Sequence, residues 1–268
     1  MVELEVKDVS FSYMKNNPIL EDLNVTFNGN PIAIVGQNGA GKTTLVKLLK
    51  GLLKPDTGYI TLNGEDIANK TVASLSAHIG LVFQNPNDQI FKNTVIDEVM
   101  FGPLNTEYHT EAAKASAQSA LKKVGLESHT KENPYDLSLS ERKRIAIASI
   151  LAMDTDVIIF DEPTMGQDYL GKKLIKTIIN ELRDEGKLVL CILHDMDFAA
   201  ETFERILILN KGKLLMDGPA SNIFTDKDVL EKAHLEQPHV VQIAQQLGLK
   251  QTPLNENDLI DLMRKKHV

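Results

Sequence analysis

The residues Gly36-Gln37-Asn38-Gly39-Ala40-Gly41-Lys42-Thr43 match the pattern G-x-x-x-x-G-K-[ST] at every fixed position. Glycines at these places let the backbone curl into a nest of N–H groups that cradle phosphate oxygens. The positive end of a following helix adds to the attraction. Lys42 is expected to reach the β- and γ-phosphates of ATP, and the Thr43 hydroxyl to bind Mg²⁺. Gly36, Asn38, Gly39, Ala40, Gly41, Lys42, Thr43 and Thr44 are the candidate ATP contacts of this segment. A dinucleotide fingerprint, G-x-G-x-x-G, has a different glycine spacing.

A second constellation is Val157-Ile158-Ile159-Phe160-Asp161-Glu162, an apolar run ending in two acids. A buried strand places its C-terminal residues at the sheet edge where ligands bind. Asp161 is expected to hold Mg²⁺ through water. Glu162, one residue on, is placed to polarise the attacking water as general base.

The elements that must position these groups are legible as patterns. Ile32–Val35 is short and wholly apolar, as expected of a strand covered on both faces. The spacing of Leu45, Leu48, Leu49 and Leu52 predicts a helix over Lys42–Leu53. Glu3–Val9, Asn24–Phe27 and Tyr59–Leu62 read as strands, the last ending at the turn signal Asn63-Gly64. From about Pro86 to Ala152 the reading is mostly helical, with helices at Glu111–Val124 and Ser140–Met153. Val157–Phe160 and Leu188–Leu193 are apolar strands. Between them Leu170, Leu174, Ile178 and Leu182 mark a helix over Leu170–Glu185. Strand, helix, strand in that order predicts a parallel sheet. Arg205–Leu209 and Lys213–Met216 flank Asn210-Lys211-Gly212 as a hairpin, and a polar helical appendage follows from Ser221.

Bulk properties narrow the function classes. The 268 residues are 43% hydrophobic and 25% charged, as in ordinary globular proteins. The net charge of -8 disfavours a nucleic-acid partner. A single cysteine, Cys191, excludes an internal disulfide framework and reads as a buried small hydrophobe. The start, MVELEVKDVS, does not read as a signal peptide, and no apolar run is long enough to span a bilayer, so the polypeptide is expected to be soluble, with membrane association coming through partners. The histidines show no metal-ligand spacing, and His234 and His239 read as surface residues.

With these motifs in hand, residues 3 to 220 resemble the ATP-binding subunits of ABC transporters. Asp161-Glu162-Pro163-Thr164 resembles that family's extended Walker B motif, and Gly166-Gln167-Asp168 its D-loop, with Asp168 as the carboxylate. His194 matches the switch histidine that contacts the γ-phosphate, and Gln84 the Q-loop glutamine, a further Mg²⁺ contact. Tyr13 is similar to the aromatic residue that stacks on adenine. The resemblance implies an α/β P-loop fold: a mixed-sheet core with an antiparallel β-subdomain, a helical subdomain over about 86–152, and a helical extension over 221–268 after the cassette of 1–220.

One segment departs from the family. Where it carries Leu-Ser-Gly-Gly-Gln, this chain has Leu137-Ser138-Leu139-Ser140-Glu141, while the flanking Arg142–Ala148 still matches. In the family this signature reaches across a dimer to the partner's ATP, so Ser138, Ser140 and Glu141 are the candidates facing a second nucleotide. Ser138-x-x-Glu141 also reads as a capping box. Ser140 brings a Cβ where the family has none, which either blocks close approach of backbone to phosphate or demands an unfavourable φ. A heterodimer with unequal sites is expected; the alternative is a homodimer that tolerates Leu139 and Ser140.

Phe83-Gln84-Asn85-Pro86-Asn87-Asp88-Gln89-Ile90-Phe91, then Glu98–Pro103, resembles the energy-coupling-factor and cobalt-type ATPases, which energise uptake of vitamins and transition-metal ions. Glu236-Gln237-Pro238-His239-Val240-Val241 is similar to the C-terminal extension of that group, which helps two ATPases dimerise. The implied partners are a second, non-identical ATPase, an integral membrane scaffold touched by Asn87, Asp88, Gln89 and Ile90, and a separate membrane solute-binding protein. The implied location is the cytoplasmic face of the cell membrane. Competing readings are a soluble ABC-fold ATPase without a transporter and an ATP-binding regulatory subunit.

Overall fold

The computed structural model describes residues 2–15, 17–106 and 109–266. In chain order it has β1 (Glu3–Met14), β2 (Asn17–Asn28), β3 (Ile32–Val35), α1 (Lys42–Leu49), β4 (Thr57–Leu62) and β5 (Glu65–Asp66). Then come α2 (Val72–Ser76), β6 (Ile79–Val82), α3 (Val95–Leu104), α4 (Thr110–Lys123), α5 (Leu139–Leu151), β7 (Val157–Asp161) and α6 (Tyr169–Asp184). The remainder is β8 (Leu188–Ile192), α7 (Met196–Thr202), β9 (Arg205–Asn210), β10 (Lys213–Pro219), α8 (Ala220–Ile223), α9 (Lys227–Lys232), α10 (His239–Gln246) and α11 (Glu256–Lys266). Among the described residues no helix is long and apolar enough to cross a membrane. The chain forms two compact units, residues 3–68 with 190–268, and residues 69–189.

The first unit holds an antiparallel sheet in the order β2-β1-β4-β5. Alternation sets its buried face: Leu4 pairs with Phe27 and Leu62, and Val6 with Val25 and Ile60, all buried. β4 turns into β5 at Asn63 and Gly64, whose φ of 52° and 81° are the left-handed pair that a two-residue hairpin needs. In the same unit β3 lies between two parallel neighbours, with Ile34 opposite Ile192 of β8 and Leu207 of β9. β10 returns antiparallel on β9, so this sheet is mixed. All four residues of β3 are buried, and so is Cys191 on β8.

Two helices differ from expectation. α1 stops at Leu49 instead of Leu53, because Gly51 takes φ 73° and terminates it, leaving Leu52 exposed. On α6, in the second unit, the buried stripe is Ile175, Ile178, Ile179 and Leu182, while Leu170 is exposed. Four-residue steps drift about 40° each around a helix, so Leu170 has left the face that Leu182 occupies.

The second unit pairs β6 with β7 in parallel, Ile79 opposite Val157 through Val82 opposite Phe160. Every residue of β7 is buried. α3, α4 and α5 pack on one another within this unit. α5 begins at Ser138 with a complete capping box: Glu141 N–H donates to Ser138 Oγ, and Ser138 N–H donates to the Glu141 carboxylate at 2.9 Å. Ser140 lies in the first turn of α5 and is absent from the residues with positive φ, so its Cβ brings no backbone strain.

Candidate nucleotide site

The first unit carries the phosphate loop between β3 and α1. Gly36 has φ 154°, and a Cβ there would lie 2.2 Å from the Leu209 carbonyl oxygen. Gly41 has φ 101°, and its Cβ would meet Leu20 Cδ2 at 2.7 Å. Both positions therefore require glycine. Gly41 is also the N-cap of α1 and offers no side chain to the first-turn N–H groups. Lys42 is buried, with Nζ donating to Gly36 O at 2.6 Å and Gln37 O at 2.9 Å. Ala40 is buried, with its carbonyl accepting from Gly212 N–H at 3.1 Å, and Thr44 is buried as well. Asn38, Gly39 and Thr43 are exposed. A cradle that a Cβ would fill, a lysine beside it and an open helix start fit the phosphates of ATP.

His194 follows β8 in the same unit, and Leu193 N–H donates to Ile34 O at 3.2 Å. β3 and β8 are parallel neighbours, so the phosphate loop and His194 leave the sheet at the same edge. They line one cavity of about 620 Å³, bordered by Gly36, Gln37 and Asn38 and by His194, Asp195 and Asp197. Tyr13, near the end of β1, is 55% exposed, its ring edge-on to Phe11 at 4.9 Å.

The second unit carries Gln84, Asp161 and Glu162. Asp161 ends β7 and is buried. Glu162 leaves the strand with φ 51°, a left-handed conformation that costs a side-chain-bearing residue about 1–3 kcal/mol. Its Oε2 accepts from Gln84 Nε2 at 2.9 Å. Behind this pair sits Lys143, 2% exposed. Its Nζ donates to the carbonyls of Phe83 at 2.9 Å, Gln84 at 2.6 Å and Asp161 at 3.2 Å. One buried cation thus joins the backbone before Gln84 to the end of β7. In the sequence Lys143 stands out only as part of the stretch flanking the signature; a lysine one turn into a helix that begins with a capping box was the available signal.

The signature residues are engaged within their own unit. Ser138 Oγ donates to Glu141 Oε2 at 2.7 Å. Hydrogen bonds from the Ser138 hydroxyl, then from its N–H, hold the Glu141 carboxyl below the usual carboxylate range; Arg144 and His129 add to this and burial opposes it. Ser140 Oγ donates to Gln167 Oε1 at 2.8 Å, and Gln167 Nε2 donates back to Ser140 O at 3.3 Å. Asp168 caps α6, accepting from Gly171 N–H at 2.7 Å. Of the four residues expected to meet a membrane scaffold, Asn87 and Asp88 are exposed. Ile90 is buried, and the Gln89 amide is spent inside, accepting from Phe83 N–H and donating to Ala146 O and Ser149 Oγ. Ile90 is thereby corrected to a core residue, whereas Gln89 is half-buried with its amide already engaged. Phe91, 56% exposed and edge-on to Phe101, takes the outward place.

The ABC transporter family profile matches residues 20–165. The energy-coupling factor transporter ATP-binding protein EcfA2 of Methanospirillum hungatei is 37% identical over 267 residues, covering 97% of this chain and 67% of that protein. The chain belongs to the ABC transporter ATP-binding family. EcfA2 of Streptococcus pyogenes is 36% identical, over 95% of this chain and 94% of that protein. Among solved structures, cbiO1 of Clostridium perfringens, part of the ABC transporter complex cbiONQ, superposes with a TM-score of 0.77 at 30% identity, covering 91% of this chain and 98% of that one. As a member of this family the chain binds ATP and is an ATP hydrolase, and its mixed and antiparallel sheets with helices are those of the ABC cassette.

Proposed function

We propose that this chain energises an importer of the energy-coupling-factor or cobalt type, which takes up a vitamin or a transition-metal ion, through ATP-driven closure of a pair of ATPases. The names of its relatives and of cbiO1 support that reading, as does the stretch from Phe83 to Phe91. The pair works at the cytoplasmic face of the membrane, with Asn87, Asp88 and Phe91 facing the scaffold protein and the solute carried by a separate membrane protein. Residues 1–220 are the cassette, about 86–152 its helical subdomain, and 221–268 an extension that helps the ATPases dimerise.

The hydrogen bond between Gln84 and Glu162 carries the catalytic part of the proposal. It brings a carbonyl-type ligand and a candidate base together at the end of a buried strand. Lys42 binds the β- and γ-phosphates, Tyr13 stacks on adenine, and His194 contacts the γ-phosphate from the cavity it shares with the phosphate loop. Thr43, Gln84 and Asp161 are oxygen ligands of the kind Mg²⁺ takes, and the ion, when bound, offsets phosphate charge. Glu162 accepts a proton from the attacking water. Changing Glu162→Gln is expected to lower ATP turnover ~10²-fold or more while leaving ATP binding intact. Turnover unchanged in that variant overturns the assignment.

The signature supports a non-identical partner. The Ser138 hydroxyl donates to Glu141 and the Ser140 hydroxyl to Gln167, so neither points its proton at a second nucleotide. The site completed by this signature is the weaker of two. Chain purified alone is expected to hydrolyse ATP slowly and without cooperativity; a symmetric dimer at full cooperative rate contradicts the heterodimer.

A further inference from the structure

The loop after β8 is tied to a segment 42 residues further along the chain. Asp197 accepts the backbone N–H of His239 at 2.7 Å, and its other oxygen pairs with His239 Nδ1. The segment is anchored in turn. Gln237 Nε2 donates to Phe224 O at 2.7 Å, and Gln242 Nε2 donates to Gln237 O at 2.7 Å. On the other side Asp195 caps α7, accepting from Phe198 N–H at 3.0 Å. His194 therefore stands between the end of β8 and a short helix whose first turn is gripped from the C-terminal segment. His234, Glu236, Gln237 and His239 line the same cavity as the phosphate loop and His194.

We infer that His239, acting through Asp197, is a positioning residue for His194, and that residues 236–239 are a strap holding the histidine loop toward the phosphate loop. The inference rests on the reading of His194 as the group that contacts the γ-phosphate.

The two bonds of the strap respond differently to pH. The backbone N–H bond does not titrate, whereas the imidazole bond does. His239 faces Asp197 directly, Glu236 on its own segment and Asp195 on the histidine loop, with His194 and His234 lining the same cavity. The hydrogen bond to Asp197, then its charge, raises the His239 pKa above the ordinary histidine value; desolvation opposes them, and the charges of Glu236 and Asp195 add the least. A raised folded-state value means the imidazolium bond is fully present below the ordinary histidine range and is lost as pH rises through the raised value. The strap is tightest on the acid side and slackens on the alkaline side.

The test uses the full chain and follows ATP hydrolysis from acid to alkaline pH, with ATP binding measured separately. His239→Ala is expected to lower kcat about two- to fivefold, the size that an exposed pair supports, with KM for ATP within twofold. It is also expected to lose the alkaline decline expected of the unmodified chain. His239→Asn places an uncharged donor at the Nδ1 position, and is expected to restore most of kcat with a flat pH profile. A readout independent of turnover is the His194 ring signal in an NMR titration, which shifts as His239 titrates and stops doing so in His239→Ala. The strap is overturned if His239→Ala and Asp197→Asn leave kcat, the pH profile and the His194 signal unchanged while Glu162→Gln abolishes turnover. If the His194 signal still follows His239 but Glu162→Gln hydrolyses normally, the catalytic reading fails and the strap stands.

Discussion

Helices α1 and α5 both begin at a motif, and both carry a buried lysine close to that start, yet the two starts are built in opposite ways. α1 begins from Gly41, with no side chain over its first-turn N–H groups. α5 begins from Ser138 in a box closed by Glu141. Lys42 donates to two carbonyls of its own loop, Gly36 and Gln37. Lys143 donates to carbonyls of two segments far apart in the chain, at 83–84 and 161. An anion can replace those two loop bonds without parting one element from another. Nothing can replace the second without parting a strand from a loop. The same ingredients, a helix start and a lysine, make a binding site in one place and a structural joint in the other. What decides is whether their bonds are local.

The largest effect that tests this contrast is on stability. Lys143→Met is expected to lower the unfolding free energy by about 3 kcal/mol or more, because several buried carbonyls lose their donor at once. A urea titration measures it. Lys42→Ala is expected to do the reverse: ATP affinity falls about 100-fold, the scale of a hydrogen bond to a charged group, while the urea midpoint barely moves. If Lys42→Ala unfolds the chain as readily as Lys143→Met, the contrast is wrong. Next in size, Ser138→Ala removes a cap worth about 1 kcal/mol and lowers the melting temperature by a few degrees. The smallest effect is on pH. The Glu141 carboxyl titrates lower in the folded chain than in the unfolded one, so its contribution is complete above the ordinary carboxylate value and disappears as pH falls through the lowered one. Glu141→Gln should flatten that acid limb of the stability curve.

Local patterns proved legible at most places where local chemistry decided the outcome, the end of α1 at Gly51 being an exception. β3, the hairpin at Asn63-Gly64, the turn at Lys211-Gly212 and the capping box of α5 could all be read from residue type and spacing. β1 and β2 run further than their patterns suggested, to Met14 and from Asn17, because their pairing slips register repeatedly and the alternation breaks. The outward or inward sense of Gln89 and Ile90 was not legible, since a 3₁₀ turn at Pro86–Asp88 redirects the chain just before them. Lys143 and His239 escaped for a shared reason. Each acts on residues distant in sequence, and a lysine or histidine on a helix carries no mark of the partner that folding will bring.

The Asp197–His239 connection closes a loop whose interior is already built from short-range pieces: the β9–β10 hairpin and helices α8 and α9. Closing such a loop adds little entropy cost once those pieces have formed. Synthesis from the N-terminus sets the order in which its parts appear. The phosphate loop emerges early and His194 much later, while the residue that grips the histidine loop is translated later still. The cradle itself waits for the β9–β10 hairpin, whose Gly212 N–H holds the Ala40 carbonyl, so a nascent chain completes it only after His194 is made and fastens the histidine last.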